Sequence, residues 1–135
     1  MRNRAAAIIV KGSQILLIHR HKSGREYYVL PGGGIENGEK PEEALIREIK
    51  EETNFDAKLA KSLGSFRDRE KGDEHYFFLV TEFSGEMRLG GPEAEHQSEG
   101  NKYILEWHSL SELDRLDVLP IETSKMLNEF LGVPK

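Results

Sequence analysis

At 135 residues, 37% hydrophobic and 32% charged, the chain fits one compact domain over residues 1–135 with a single core. A net charge of −5 with scattered Lys and Arg argues against a long nucleic acid as partner, though a bound cation can still bring in a small polyanion. Cysteine is absent, which excludes disulfides and thiolate zinc sites; no apolar run is long enough for a signal-peptide core or a bilayer span, so a cytoplasmic protein with no membrane partner is expected.

In chain order, residues 4–10 and 14–20 are two β-rich runs joined by Lys11-Gly12-Ser13, a hairpin pattern. Residues 27–30 predict a third strand, stopped by Pro31 and the glycines Gly32, Gly33 and Gly34, which read as loop. From Pro41 to Thr53 the pattern is helical, with Pro41 suited to the first turn and Glu42 and Glu43 placed where the helix dipole favours negative charge. Residues 57–67 and 75–83 predict strands on either side of the charged turn 68–73, and residues 85–101 a long polar loop. A last strand over 102–107 is followed by a short helix from Ser111 and a closing helix over 121–131 with Ile121, Met126, Leu127 and Phe130 as its apolar stripe. The fold class is α/β in the broad sense (α+β), without internal repeats or linkers.

The first helix carries an unusual face. At 100° per residue, Glu48, Glu51 and Glu52 fall within an arc roughly 100° wide, beside an apolar arc of Leu45, Ile46 and Ile49 expected to face the core. Ala44 projects among the carboxylates, and its small side chain leaves room for an approaching group. Like charges at this spacing cost about 0.2–0.5 kcal/mol per pair, and Glu51 and Glu52 also stand in the last turn, where the dipole disfavours anions. A local rule broken this consistently points to function. Convergent carboxylate oxygens suit a hard divalent cation, Mg²⁺ first and Mn²⁺ possible. Glutamate-rich helices are more often solvated surface, but here a glycine triplet precedes the helix and lets backbone approach a ligand closely, with carbonyls that can coordinate a cation.

Read together, Gly33, Glu39, Arg47, Glu48, Ile49, Glu51, Glu52, Asn54 and Phe55 resemble the Nudix box, G-x5-E-x7-R-E-U-x-E-E-x-G-U, over residues 33–55. Eight of the nine specified positions match, Asn54 standing where the family has glycine. Asn is the non-glycine residue most at ease at φ > 0, so the helix end should survive the change. The resemblance implies the Nudix fold of MutT-like proteins, a mixed β-sheet sandwiched between α-helices. It implies that Glu48, Glu51 and Glu52 are metal-binding and catalytic carboxylates, with a backbone carbonyl of Gly32 or Gly33 as a further ligand. Gly33 and Gly34 would lie against the substrate. Glu39 and Arg47 would form a structural ion pair, and Ile49 and Phe55 would anchor the motif in the core.

The implied reaction is Mg²⁺-dependent hydrolysis of the pyrophosphate link in a small nucleotide, a nucleoside triphosphate or an ADP-ribose-like compound. The general base would be Glu48 or a glutamate of the late loop, where Glu93, Glu95 and Glu99 lie and Glu99 is the first choice. Arg20, at the end of the second strand, would contact phosphate with Lys22 or Arg25 in support. Tyr27, Phe66, Tyr76 and Phe78 are candidates to stack on a base, although aromatics in strands are more often core. His19 and His21 share one strand face, but the carboxylate cluster is the better harbour for Mg²⁺. A homodimer is a family-level possibility. The alternatives are a nucleotide-binding module that does not cleave, against which the complete carboxylate set argues, and an RNA pyrophosphohydrolase, against which the acidic balance argues.

Overall fold

The computed structural model describes residues 3–90, 98 and 100–131. Among the described residues seven strands and two α-helices are formed: β1 (Asn3–Lys11), β2 (Gln14–Lys22), β3 (Arg25–Val29), β4 (Gly32–Gly34), α1 (Pro41–Thr53), β5 (Asp56–Arg67), β6 (Glu74–Ser84), β7 (Asn101–Ser109) and α2 (Glu122–Leu131). A 3₁₀ helix, Leu110–Arg115, links β7 towards α2. The predicted elements are all present. Their ends shift by no more than two residues.

The mixed sheet runs β3-β2-β1-β6-β5, with β4 paired to β1 and β7 to β2. β1 and β6 are parallel from Asn3↔Glu74 to Ile9↔Val80. β1 and β2 pair only next to their turn, at Val10↔Ile15 and Lys11↔Gln14. Beyond those pairs the strands part, β1 joining β6 and β4 while β2 joins β3 and β7. The gap opened by that divergence becomes a cleft.

Two apolar clusters hold helices to opposite faces. Ile8, Leu17 and Phe77 pack with Leu113, Met126 and Leu127 on the α2 side. Ala7, Ile9, Phe78 and Val80 pack with Leu45, Ile49 and Phe55 on the α1 side. The period of two along β1 sends Ile8 one way and its neighbours Ala7 and Ile9 the other, which is why residues 5–10 read as an unbroken apolar run.

Three sequence expectations change. The glycine triplet is not only a loop: it forms β4, with Ala5 opposite Gly33. At Gly32, φ is +151°, and an added Cβ would lie 2.1 Å from the Ala5 carbonyl oxygen, so only glycine fits. Ile46 is 44% exposed and Ile121 75% exposed, so neither belongs to the core stripe. On the helix projection Ile46 sits about 100° from Leu45, whereas Glu52 lies within about 20° of it and takes the buried place. Ala44 is fully buried and gives no open path to the carboxylates. In the α2 stripe Met126 and Leu127 are buried as predicted, joined by Thr123; the Phe130 side chain lies outside what is described.

Candidate active site

The acidic wall is built from one short stretch of chain. Pro41 opens α1, and the Glu43 carboxylate accepts the Lys40 amide at 2.9 Å, closing its first turn. At the other end Asn54 takes the left-handed conformation, φ 68°, and its amide reaches the Lys50 carbonyl at 3.1 Å, as anticipated for the residue replacing glycine.

Arg47 ties the loop to the helix. Its Nε and Nη2 donate to the two Glu39 oxygens at 2.8 and 2.9 Å, a bidentate fork. Nη2 also reaches the Gly34 carbonyl at 3.2 Å. The Glu39–Arg47 pair expected from the sequence is therefore present, with a further reach: Nη1 donates to Glu48 Oε1 at 2.9 Å and stands 3.6 Å from Glu51. Hydrogen bonds from Arg47 and the Glu36 amide hold the Glu39 carboxyl down to about 2, and the same carboxylate raises the Arg47 guanidinium.

Glu52 is almost fully buried and accepts the Gly32 amide at 2.7 Å. A Cβ on Gly33 would lie 2.4 Å from the Glu48 carboxyl carbon, so glycine there makes the space that the carboxylate occupies. Glu48 leans on Arg47, Glu51 is nearly half exposed, and Glu52 turns to backbone. Their oxygens are not among the described groups that fall within 4.8 Å of one another. The donor set nevertheless fits a hard divalent cation, with three carboxylates along one wall, a glycine cradle beside Glu48 and no sulfur.

A feature beyond the sequence reading lies at the C-terminal end of α1. The Arg88 and Gly90 amides bond the carbonyls of Thr53 and Glu52 at 2.9 and 3.2 Å, and Asn54 Nδ2 donates to the Glu86 carbonyl at 2.9 Å. Carbonyls a helix end would otherwise leave unpaired thus anchor the start of the late loop. Gly90 stands so close that a Cβ would meet the Glu51 carbonyl oxygen at 2.6 Å. Glu93, Glu95 and Glu99 lie outside the described residues.

These groups face a cleft of about 900 Å³ whose other wall is basic and aromatic. Arg20 lines it as expected, with its guanidinium 3.7 Å from the Tyr103 ring centre and bonded to Asn101 Oδ1 at 2.5 Å and the Lys102 carbonyl at 3.3 Å. Lys22, Arg25 and Tyr27 line it too. Of the other aromatic candidates, Phe78 and Tyr76 face the α1 core, and Phe66 packs on Phe77 and His75. Phe77 and His75 take the cleft face instead, because strand neighbours alternate. The sequence reading missed Arg4, Tyr103 and the buried pair Asp68–His75, Oδ2 to Nε2 2.7 Å, all on the cleft lining. Burial alone would raise the Asp68 carboxyl, but hydrogen bonds from the Lys71 amide and His75 outweigh it and hold the carboxyl below its ordinary value. A polar pair framed by Phe66 and Phe77 on alternate strand positions was the available signal.

A family model described as a NUDIX domain matches residues 1–130. The chain is 35% identical over 89 residues to a Bacillus subtilis protein named as a candidate 8-oxo-dGTP diphosphatase, covering 66% of this chain and 59% of the relative. It is 36% identical over 88 residues to an ADP-ribose pyrophosphatase of Methanocaldococcus jannaschii, covering 62% and 52%. The matches thus span little more than half the length of these relatives. Among solved structures, a MutT NUDIX hydrolase from Burkholderia pseudomallei aligns with a TM-score of 0.75 at 28% identity, covering 96% of this chain and 97% of that one.

Proposed function

The chain belongs to the Nudix family, and from that membership we propose that it is a divalent-cation-dependent hydrolase of a nucleoside diphosphate linked to another group, a nucleoside triphosphate or an ADP-ribose-like compound. One observation carries the reading: the carboxylates of α1 and the cations of β1 and β2 face each other across a single cleft. A pyrophosphate with an organic group attached has the matching chemistry, polyanionic at one end and flat or apolar at the other. No helix among the described residues is long and apolar enough to cross a membrane.

Glu48, Glu51 and Glu52 would hold the cation, with a carbonyl of Gly32 or Gly33 as a further ligand. When bound, Mg²⁺ or Mn²⁺ neutralises phosphate charge and makes a water molecule more acidic. Arg20, with Lys22 and Arg25, would orient the phosphates, and Gly33 and Gly34 would let the chain backbone lie against them. Tyr27 would take the organic group. Glu48 or Glu99 would accept the proton of the attacking water, aimed at phosphorus because the residues of both walls serve phosphate.

The test is a panel of nucleoside triphosphates, oxidised ones included, and ADP-ribose, assayed with Mg²⁺ or Mn²⁺ for phosphate, pyrophosphate or AMP release. Turnover in ¹⁸O-water should leave label on a product phosphate, and excess chelator should stop the reaction. Nucleotide binding without turnover across the panel would instead make the protein a binding module.

A further inference from the structure

The face of β2 and β3 turned away from the cleft carries a second set of ligand-type side chains. Alternation along β2 sends Arg20 and Lys22 into the cleft and His19 and His21 to the other side, where Glu26 of β3 meets them. His19 Nε2 lies 2.7 Å and His21 Nε2 3.6 Å from the same oxygen, Glu26 Oε1. The two rings are 4.5 Å apart between centres. All three ligand atoms fall within 4.8 Å of one another.

We propose that His19, His21 and Glu26 form a second divalent-cation site, of the Zn²⁺ class, separate from the carboxylates of α1.

Three observations carry it. Ligands around a tetrahedral zinc stand about 3.3–3.5 Å apart, given bonds of about 2.0–2.2 Å. Glu26 is more than half exposed, so a movement of less than about 1 Å brings its oxygen to that spacing from both rings. Next, the buried His19 is already oriented from behind: Glu106 Oε2 accepts its Nδ1 at 2.9 Å, which turns Nε2 towards Glu26. Glu106 is itself held by His108 Nε2 at 2.7 Å, and Tyr28 stacks on His19 at 4.4 Å. A carboxylate on the remote nitrogen is the arrangement that fixes tautomer and ring direction in histidine metal sites. Finally, the patch is short of positive charge. Among the described residues the side-chain ion-pair partners of Glu26, Glu106 and Glu112 are histidines, with no Lys or Arg within 4.0 Å.

The histidine pair remains a poor harbour for Mg²⁺, as the sequence suggested, because imidazole suits borderline cations. From the sequence alone Glu26 and Glu106 could not be placed beside it. The other described group of this kind, Asp68–Asp73–His75, is a weaker prospect. Both Asp68 oxygens already accept hydrogen bonds, from the Lys71 amide and from His75, that hold its own turn.

The experiment is a calorimetric titration of untagged, chelator-stripped protein with Zn²⁺ in saturating Mg²⁺, paired with Co²⁺ absorption spectra. One equivalent should bind, with a visible band of four- or five-coordinate Co²⁺ and a raised Tm. His21→Ala and Glu26→Gln, both altering side chains at least one-third exposed, should weaken it at least ~10-fold. Glu51→Gln and Asp73→Asn should leave it intact. The proposal is overturned by no binding, by equal binding in His21→Ala and Glu26→Gln, or by loss in Glu51→Gln or Asp73→Asn instead.

Discussion

One wall of the cleft, with Gly32–Gly34 and the glutamates of α1, comes from residues 32–52 alone, while the facing wall gathers Arg4 from β1, Arg20 from β2, Tyr27 from β3, His75 and Phe77 from β6 and Tyr103 from β7. The first wall is held by its own short-range bonds, Arg47 to Glu39 and Glu52 to Gly32. The second is held by strand register, Ala6↔Phe77 and Arg20↔Tyr103 being set by pairs far apart in sequence. A wall made from one segment carries chemistry that one motif can encode. A wall made from five strands can change residue by residue without disturbing that chemistry, which makes it the natural place for substrate choice.

The largest expected effect breaks the first wall. Glu51→Gln and Glu52→Gln should each lower kcat by ~100-fold or more in an assay of the proposed cation-dependent reaction. In metal-free melts Glu51→Gln should be neutral, since its side chain is nearly half exposed. Glu52→Gln keeps an oxygen for the Gly32 amide, whereas Glu52→Ala leaves that amide unpaired and should cost about 1–3 kcal/mol. Equal destabilisation by both Glu52 variants would make the charge structural rather than catalytic.

Neighbouring glycines should separate the two functions of that wall. Gly32→Ala drives a Cβ into the backbone of β1 and should lower the urea midpoint by an amount equivalent to about 2 kcal/mol or more. The atoms nearest a Cβ in Gly33→Ala all belong to the end of the Glu48 side chain, which can swing aside, so the protein should melt near wild type yet lose activity ~10-fold or more. If Gly33→Ala is fully active, Glu48 is not held where the reaction needs it.

On the opposite wall, Arg20→Ala should raise KM about tenfold with kcat little changed, equivalent to about 1.4 kcal/mol of uniform binding. A fall in kcat at constant KM would move Arg20 into the group acting only in the transition state.

The smallest effect concerns acid stability. Glu39 is held at about 2 against an ordinary 4.5, so its contribution is complete above the ordinary value and lost as pH falls through about 2. Urea midpoints of wild type should therefore fall more steeply than those of Glu39→Gln across that window, while Arg20→Ala should follow wild type. Parallel curves for Glu39→Gln and wild type would remove the Arg47 fork as a source of acid sensitivity.

The first wall was legible because helix periodicity and fixed spacing tie Glu48, Glu51 and Glu52 to one another and to Gly33 through local geometry. Even there, two burials escaped it. The seven-residue step places Glu52 in the core stripe beside Leu45, and Ile46 faces water, because which edge of an amphipathic arc is covered depends on what packs against it. In the second wall, Arg20 and Tyr27 were found as single residues, but not their neighbours Tyr103 and Asn101, nor the Asp68–His75 pair.

The sequence by itself determined the elements, the helix end at Asn54, the Glu39–Arg47 tie and the family, since each depends on residues within a few turns of one another or on a motif of fixed spacing. Only the tertiary structure decided that β1 and β2 part after two pairs to open the cleft, that glycines thought to be loop form a strand against β1, and that Glu26 and Glu106 close around His19 on the far face. Those outcomes rest on strand register between distant segments, and alternation along a strand says only that neighbours face opposite ways, not what each will meet.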